Sequence, residues 1–131
     1  MRLLDTDTCV EILRGNERVI ERRATVADSV ATTWITASEL YFGAAKSHRP
    51  KNNHALVTRF LATLPILSLD RSAAEIFGNV KVRLQREGRR LTDADLFIGA
   101  IAVAQDATVV TGNRRHYDRI PGWKWEDWIR D

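Results

Sequence analysis

Five residues of this sequence carry hard oxygen donors in places where a fold can gather them: Asp5, Glu39, Asp93, Asp95 and Asn113, with Asp7 close behind the first. Carboxylates brought together in a crevice repel one another and raise one another's pKa. A hard divalent cation resolves that repulsion. Mg²⁺ takes oxygen ligands at about 2.0–2.1 Å and keeps several waters, so a few carboxylates suffice. Such a cation lowers the pKa of a bound water and neutralises charge on a phosphodiester. Metal-assisted hydrolysis is the chemistry these residues support best, because no catalytic cysteine, serine–histidine pair or phosphate-cradling glycine loop stands beside them. Each acid also has a structural explanation. Glu39 follows Thr36 by three residues and Asp95 follows Thr92 by three, as in capping boxes, while Asp5 suits a turn and Asp7 an N-cap. The case for a site therefore rests on convergence.

Convergence needs elements that end in the right places. Arg2-Leu3-Leu4-Asp5 reads as a short buried strand ending in an acid. Thr8 to Glu11 matches a capping box, which puts a helix from there to Gly15, and residues 17–27 read as a second helix. Thr32-Thr33-Trp34-Ile35 reads as a strand, with a helix opening at Thr36. Ser47 to Asn53 reads as a loop around Pro50. Leu56, Val57, Phe60, Leu61 and Leu64 have helical spacing, and Pro65 ends that helix. Ile66 to Leu69 reads as a strand, and Ala73, Ile76, Phe77, Val80 and Leu84 share one face of a long helix stopped by Gly88. Thr92 caps a helix through Val103 that is apolar nearly all round. Thr108 to Thr111 is a last strand before a Gly-Asn turn. Strands alternating with helices imply an α/β fold with a mostly parallel sheet covered on both faces. In such sheets ligands bind beyond the C-terminal strand ends. Asp5, Glu39, Asn113 and the Asp93–Asp95 pair all fall toward that edge.

With 131 residues, the chain is sized for one domain spanning 1–131. A hydrophobic share of 44% excludes a disordered chain. No apolar run approaches the roughly 20 residues of a membrane span, and no signal-peptide core precedes Asp5. One cysteine excludes an internal disulfide and a cysteine-based zinc site. These features predict a soluble, cytoplasmic protein. The net charge of +3 is small, but Lys81, Arg83, Arg86, Arg89 and Arg90 face only Glu87 between 81 and 90. This basic stripe leads straight into the acids Asp93 and Asp95, the pairing an enzyme acting on a polyanion needs; a solvated helix face is the plainer reading. His48, His54 and His116 lack metal-ligand spacing and read as surface residues. Cys9 reads as a buried thiol, and Trp123, Trp125 and Trp128 as core or a docked C-terminus.

Four segments together resemble a known family. Leu3-Leu4-Asp5-Thr6-Asp7, Thr36-Ala37-Ser38-Glu39-Leu40, Thr92-Asp93-Ala94-Asp95 with Ile98-Gly99-Ala100, and Val110-Thr111-Gly112-Asn113-Arg114-Arg115-His116-Tyr117 occur in the order of PIN-domain ribonuclease motifs. Ile120-Pro121-Gly122 resembles the segment that follows. The chain is most similar to the VapC toxins of bacterial toxin–antitoxin pairs. The resemblance implies a three-layer α/β/α PIN fold and a Mg²⁺- or Mn²⁺-dependent endoribonuclease. It also implies a homodimer, a co-expressed VapB-type antitoxin and a toxin–antitoxin hetero-oligomer. Asp5, Glu39 and Asp95 would hold the metal, with Asn113, Asp93 and Asp7 assisting. Asn113 replaces a common aspartate, which leaves one or two metals open. Thr6 and Thr111 would support the site. Arg86, Arg89, Arg90, Arg114 and Arg115 are candidates for contacts to RNA, tRNA included, and binding through them should weaken with salt. Val10, Leu13 and Val19 are candidates for receiving an amphipathic helix of the antitoxin.

Two other readings remain open in the sequence. Asp5-Thr6-Asp7-Thr8 after an apolar strand also resembles the DxDxT motif of haloacid-dehalogenase-type phosphatases, with Asp5 as nucleophile. The chain is short for that fold. A non-catalytic PIN-like binding module, whose acids merely cap helices, is the second.

Overall fold

The computed structural model describes residues 1–118 and 122–131. Ile120 and Pro121 of the last motif segment lie outside the described residues. The elements are β1 (Arg2–Leu4), α1 (Thr6–Leu13), α2 (Glu17–Thr25), β2 (Val30–Thr33), α3 (Trp34–Ala45), α4 (Pro50–Leu61), β3 (Ile66–Leu67), α5 (Arg71–Arg86), α6 (Asp93–Ala104), β4 (Thr108–Val110), α7 (Arg114–Tyr117) and β5 (Lys124–Glu126). The five strands form one parallel sheet in the order β3-β2-β1-β4-β5. The expected α/β architecture is therefore present.

Alternation along the central strands divides the core into two layers. Leu4 and Val110 point to one face, packed with Cys9, Val19, Leu40, Val57 and Phe60. Leu3 and Val109 point to the other, packed with Ile98, Ile101 and Tyr117. Successive strand side chains alternate in this way because the pleat has a period of two. The first face is covered by α1 to α4 and the buried Trp128, the second by α5, α6 and α7. Trp128 is 1% exposed, so the tail docks as core rather than forming an open aromatic platform. Cys9 is buried, and burial pushes its thiol up to about 12, which makes it a core residue rather than a nucleophile.

Several local expectations shift by a few residues, each for a visible reason. Helix α1 begins at Thr6 with Asp5 as its N-cap, so the Thr8–Glu11 capping box does not form. Thr8 instead buries its hydroxyl, which donates to the Val110 carbonyl at 3.0 Å. Strand β2 ends at Thr33, which caps α3 by accepting from the Thr36 N–H at 3.1 Å. Trp34 and Ile35 belong to that helix, and Thr36 is inside it rather than at its start. Pro50 opens α4 at its first position, where a missing N–H costs nothing, so the loop before it is shorter than expected. Strand β3 is two residues long and stops at Leu67. The turn after β4 continues into the short helix α7, and the C-terminal segment adds β5 to the sheet. Val19, expected at a docking surface, is fully buried.

The strand order sets the functional edge. From β1 the chain winds outward through β2 and β3, then returns to the other side of β1 as β4. The crevice beyond the C-terminal ends of β1 and β4 is thus the switch point where open α/β sheets bind ligands. Asp5 follows β1 and Thr111-Gly112-Asn113 follows β4, so both meet there.

Candidate active site

Asp5 is the centre of this edge. It is 3% exposed. Its Oδ1 accepts from the Thr6 N–H at 2.8 Å, and its Oδ2 accepts from the Thr111 hydroxyl at 2.8 Å and the Tyr117 phenol at 3.4 Å. None of these donors carries a positive charge. Burial, and then the nearby charge of Asp7, push the carboxyl up to about 7, with a smaller contribution from Asp95. The hydrogen bonds from Thr111 and Thr6 pull the other way without winning. A buried carboxylate held by neutral donors among other acids is a site that a cation would stabilise.

Thr6 joins a second acid to the first. Its hydroxyl donates to Glu39 Oε1 at 2.6 Å and lies 3.2 Å from the Thr36 hydroxyl. Thr36 therefore orders the site rather than capping a helix. Glu39 itself is exposed and sits in the second turn of α3, because that helix starts earlier than its sequence indicates. Asp95 lies in the first turn of α6 behind the Thr92 cap, which accepts from the Asp95 N–H at 3.2 Å. Asp93, on the same turn, points away: it is exposed and pairs with Lys81 at 2.9 Å. The structure thus separates Asp93 from the other acids.

Asp7 is half-buried and tied to backbone. Its Oδ2 accepts from the Gly112 N–H at 2.8 Å, and its Oδ1 from the Thr8 N–H at 2.8 Å. Burial raises its pKa despite these bonds. Asn113 is exposed at the N-cap of α7, with its N–H donating to the Thr111 hydroxyl at 2.9 Å. Thr111 thereby links the end of β4 to Asp5. Gly112 fits because any Cβ there would stand 2.8 Å from an Arg130 nitrogen and 2.9 Å from Asp7 Oδ2.

Two site residues escaped the sequence reading. His116 places its Nδ1 2.9 Å from Asp95 Oδ2, out of line for a good hydrogen bond, so it is not simply a surface residue. Tyr117 is 1% exposed and reaches Asp5. Both sit on α7, and the signal for them was their place at the end of the fourth motif, three and four residues beyond Asn113. The basic candidates are all exposed: Arg86 at the end of α5, Arg89 and Arg90 just after it, Arg114 and Arg115 on α7. Arg114 lies over the Trp125 ring, 4.6 Å from its centroid.

The donors fit a hard divalent cation: oxygen atoms, one of them on a carboxylate destabilised by burial and like charge. Among the described residues, however, no three His, Cys, Asp or Glu side chains stand close enough to hold one ion in their present rotamers.

Comparison with known proteins agrees with this geometry. The model of the PIN domain family matches residues 2–122. The tRNA(fMet)-specific endonuclease VapC of Salmonella typhimurium is 35% identical over 127 residues, 96% of each chain. Ribonuclease VapC2 of Haemophilus influenzae is 30% identical over 128 residues, 97% of each chain. The crystal structure of DNA-bound VapBC from Salmonella typhimurium superposes with a TM-score of 0.91 at 35% identity, covering 98% of both chains. VapBC2 from Rickettsia felis, bound to a DNA fragment from its promoter, gives a TM-score of 0.91 at 26% identity over 97% of this chain and 98% of that one. Similarity of this extent removes the phosphatase reading of the Asp5-Thr6-Asp7-Thr8 segment, and the chain belongs to the PIN-domain family, among its VapC ribonucleases.

Proposed function

We propose that this protein is a single PIN domain over 1–131 that hydrolyses RNA phosphodiester bonds as the toxin of a toxin–antitoxin pair. One observation carries the mechanistic part of the reading: Asp5, 3% exposed, is held among the described residues by uncharged donors, while burial, then Asp7 and to a smaller extent Asp95, raise its pKa. Asp5, Asp95 and Glu39 would hold Mg²⁺ or Mn²⁺, with Asn113 and Asp7 nearby; Asp93, paired with Lys81, is set outside this group. The cation, when bound, supplies charge neutralisation at the phosphodiester and a more acidic water.

The chain's own groups do the rest. Thr111 and Tyr117 fix the Asp5 carboxylate from one side, and the Thr6 N–H fixes it from the other. Thr6 orients Glu39 through its hydroxyl. His116 bears on Asp95 and limits where that carboxylate points. Arg114 and Arg115 on α7, and Arg86, Arg89 and Arg90 at and just after the end of α5, attract the RNA backbone, so binding weakens as salt rises. A structured RNA such as tRNA fits the reading, since the Salmonella relative is named for tRNA(fMet).

A VapB-type antitoxin as partner is supported by the solved VapBC assemblies of similar chains. Val10, Leu13, Leu40, Leu56 and Val57 line a groove of about 390 Å³ between α1, α3 and α4, suited to an amphipathic helix. A homodimer is supported by Trp34 and Phe42, 52% and 66% exposed at positions eight apart on α3. No helix among the described residues is long and apolar enough to cross a membrane.

Calorimetric titration with Mn²⁺ tests the site. Wild-type protein is expected to bind with a signal that Asp5→Ala removes. Absence of binding, or binding unchanged in Asp5→Ala, would leave only the non-catalytic module.

A further inference from the structure

The basic stripe does not only cover a helix face. Between the end of α5 and the start of α6 the chain encloses a cavity of about 550 Å³, lined by Lys81, Leu84, Gln85, Arg89, Leu91 and Leu96 among others. Its floor is apolar: Leu84 and Leu96 are 4% and 1% exposed and pack with Leu91 in one cluster. Among the described residues its lining carries the cations Lys81, Arg89 and Arg90 and the acid Asp93. The volume falls within the roughly 300–1,000 Å³ of small-ligand sites, which are apolar with a few placed polar groups.

Its location matters as much as its lining. Asp93 borders the cavity, and Asp95, two residues on in the same helical turn, faces His116 at the candidate active site. Arg89 and Arg90 are shared with a shallow open cleft that Asp118, at the end of α7, also borders. The loop 88–90 is therefore a wall between the cavity and the side of the molecule that carries α7.

On the reading that the substrate is RNA, we propose that this cavity is a nucleotide subsite, which receives one unstacked base of the substrate. The base lies against half-buried Leu91 and the edges of Leu84 and Leu96 that reach the cavity, as bases do on apolar surfaces in single-strand recognition. Its phosphate meets Lys81, Arg89 and Arg90, and competes with Asp93 for Lys81 and with Glu87 for Arg89, which hold those cations at 2.9 Å and 3.8 Å. Gln85, exposed at the mouth, offers both a donor and an acceptor to a base edge. The subsite then contributes sequence preference, which the carboxylate edge alone does not supply.

The test is a titration of ¹⁵N-labelled full chain with each of the four ribonucleoside 5′-monophosphates and, separately, with inorganic phosphate. Nucleotides are expected to shift the amides of Leu84, Gln85 and Gly88–Leu91, with one base binding several-fold tighter than the others. Gln85→Glu, at an exposed position that leaves the core intact, should weaken that base at least about threefold and alter cleavage preference through KM. Shifts that inorganic phosphate reproduces in full would make this a phosphate site only and overturn the proposal. So would shifts confined to other residues, or none at millimolar nucleotide. RNA cleavage that persists with unchanged sequence preference in Gln85→Glu would also remove the subsite while leaving the active-site reading in place.

Discussion

Asp5→Asn is expected to abolish RNA cleavage and at the same time stabilise the metal-free protein at neutral and alkaline pH. The two effects share one cause. The Asp5 carboxyl titrates at about 7 in the folded chain against 3.8 for the ordinary group, because burial and then Asp7 disfavour its charge. A raised carboxyl pKa means the folded state binds more protons than the unfolded one between those values. Stability of the metal-free chain is therefore greatest near pH 4 in this respect, falls as pH rises toward 7, and levels off above. The full penalty is on the order of 4 kcal/mol at pH 8, at about 1.36 kcal/mol for each pKa unit. An asparagine keeps the shape, still accepts from the Thr6 N–H, and carries no charge to bury. Chemical denaturation in EDTA should show the variant about 1–3 kcal/mol more stable than wild type at pH 8, with the difference shrinking as pH falls and gone below about pH 4. Cleavage should fall by on the order of 10²–10³-fold, the scale of losing several kcal/mol of metal-borne charge stabilisation. An Asp5→Asn protein that is less stable than wild type at pH 8, with the pH slope retained, would mean that Asp5 is a structural cap and not a strained ligand.

Gly99→Ala should be the most damaging single methyl in the described structure. Gly99 is buried in the middle of α6, where a glycine normally weakens a helix. Its use is packing: a Cβ built on it would overlap Cη2, Cζ3 and Cζ2 at the edge of the Trp123 ring. That ring in turn packs on Tyr117, with centroids 5.1 Å apart. Any shift of Trp123 therefore reaches the phenol that donates to Asp5. The expected loss is about 1–3 kcal/mol in thermal or denaturant unfolding, as for other overpacked cores, despite the gain in helix propensity. Activity of the folded fraction should drop as well. A neutral Gly99→Ala would show that Trp123 moves aside freely and that Tyr117 does not depend on it.

The sequence located the acids better than it located what holds them. Asp5 and Thr111 were legible because an apolar triplet followed by a polar residue marks a strand end, and the strand order then brings the two ends together. Glu39 and Asp95 were legible at the same edge. Asp93, expected to assist Asp95, does not, because two residues along a helix turn a side chain to a different face, and Lys81 takes it. Caps were misread where two threonines compete. Thr33 and Thr36 both suit an N-cap, and only the end of β2 decides that Thr33 serves while Thr36 meets Thr6. Thr8 resembles a cap yet is drawn inward to the Val110 carbonyl. Strand β5 has three residues and no alternation to announce it; it forms because β4 offers a free edge. His116 and Tyr117 were hidden for a related reason. Helix α7 has four residues, too few for periodicity to register.

The central claim is that the carboxylate edge around Asp5 cleaves RNA with a divalent cation. It is tested most directly by incubating total RNA with purified wild type and Asp5→Asn, each with Mn²⁺ or with EDTA, and mapping the new ends. Discrete cuts by wild type with Mn²⁺ are expected, and none in EDTA or with Asp5→Asn. Cutting that survives EDTA, or that Asp5→Asn performs equally well, would contradict it.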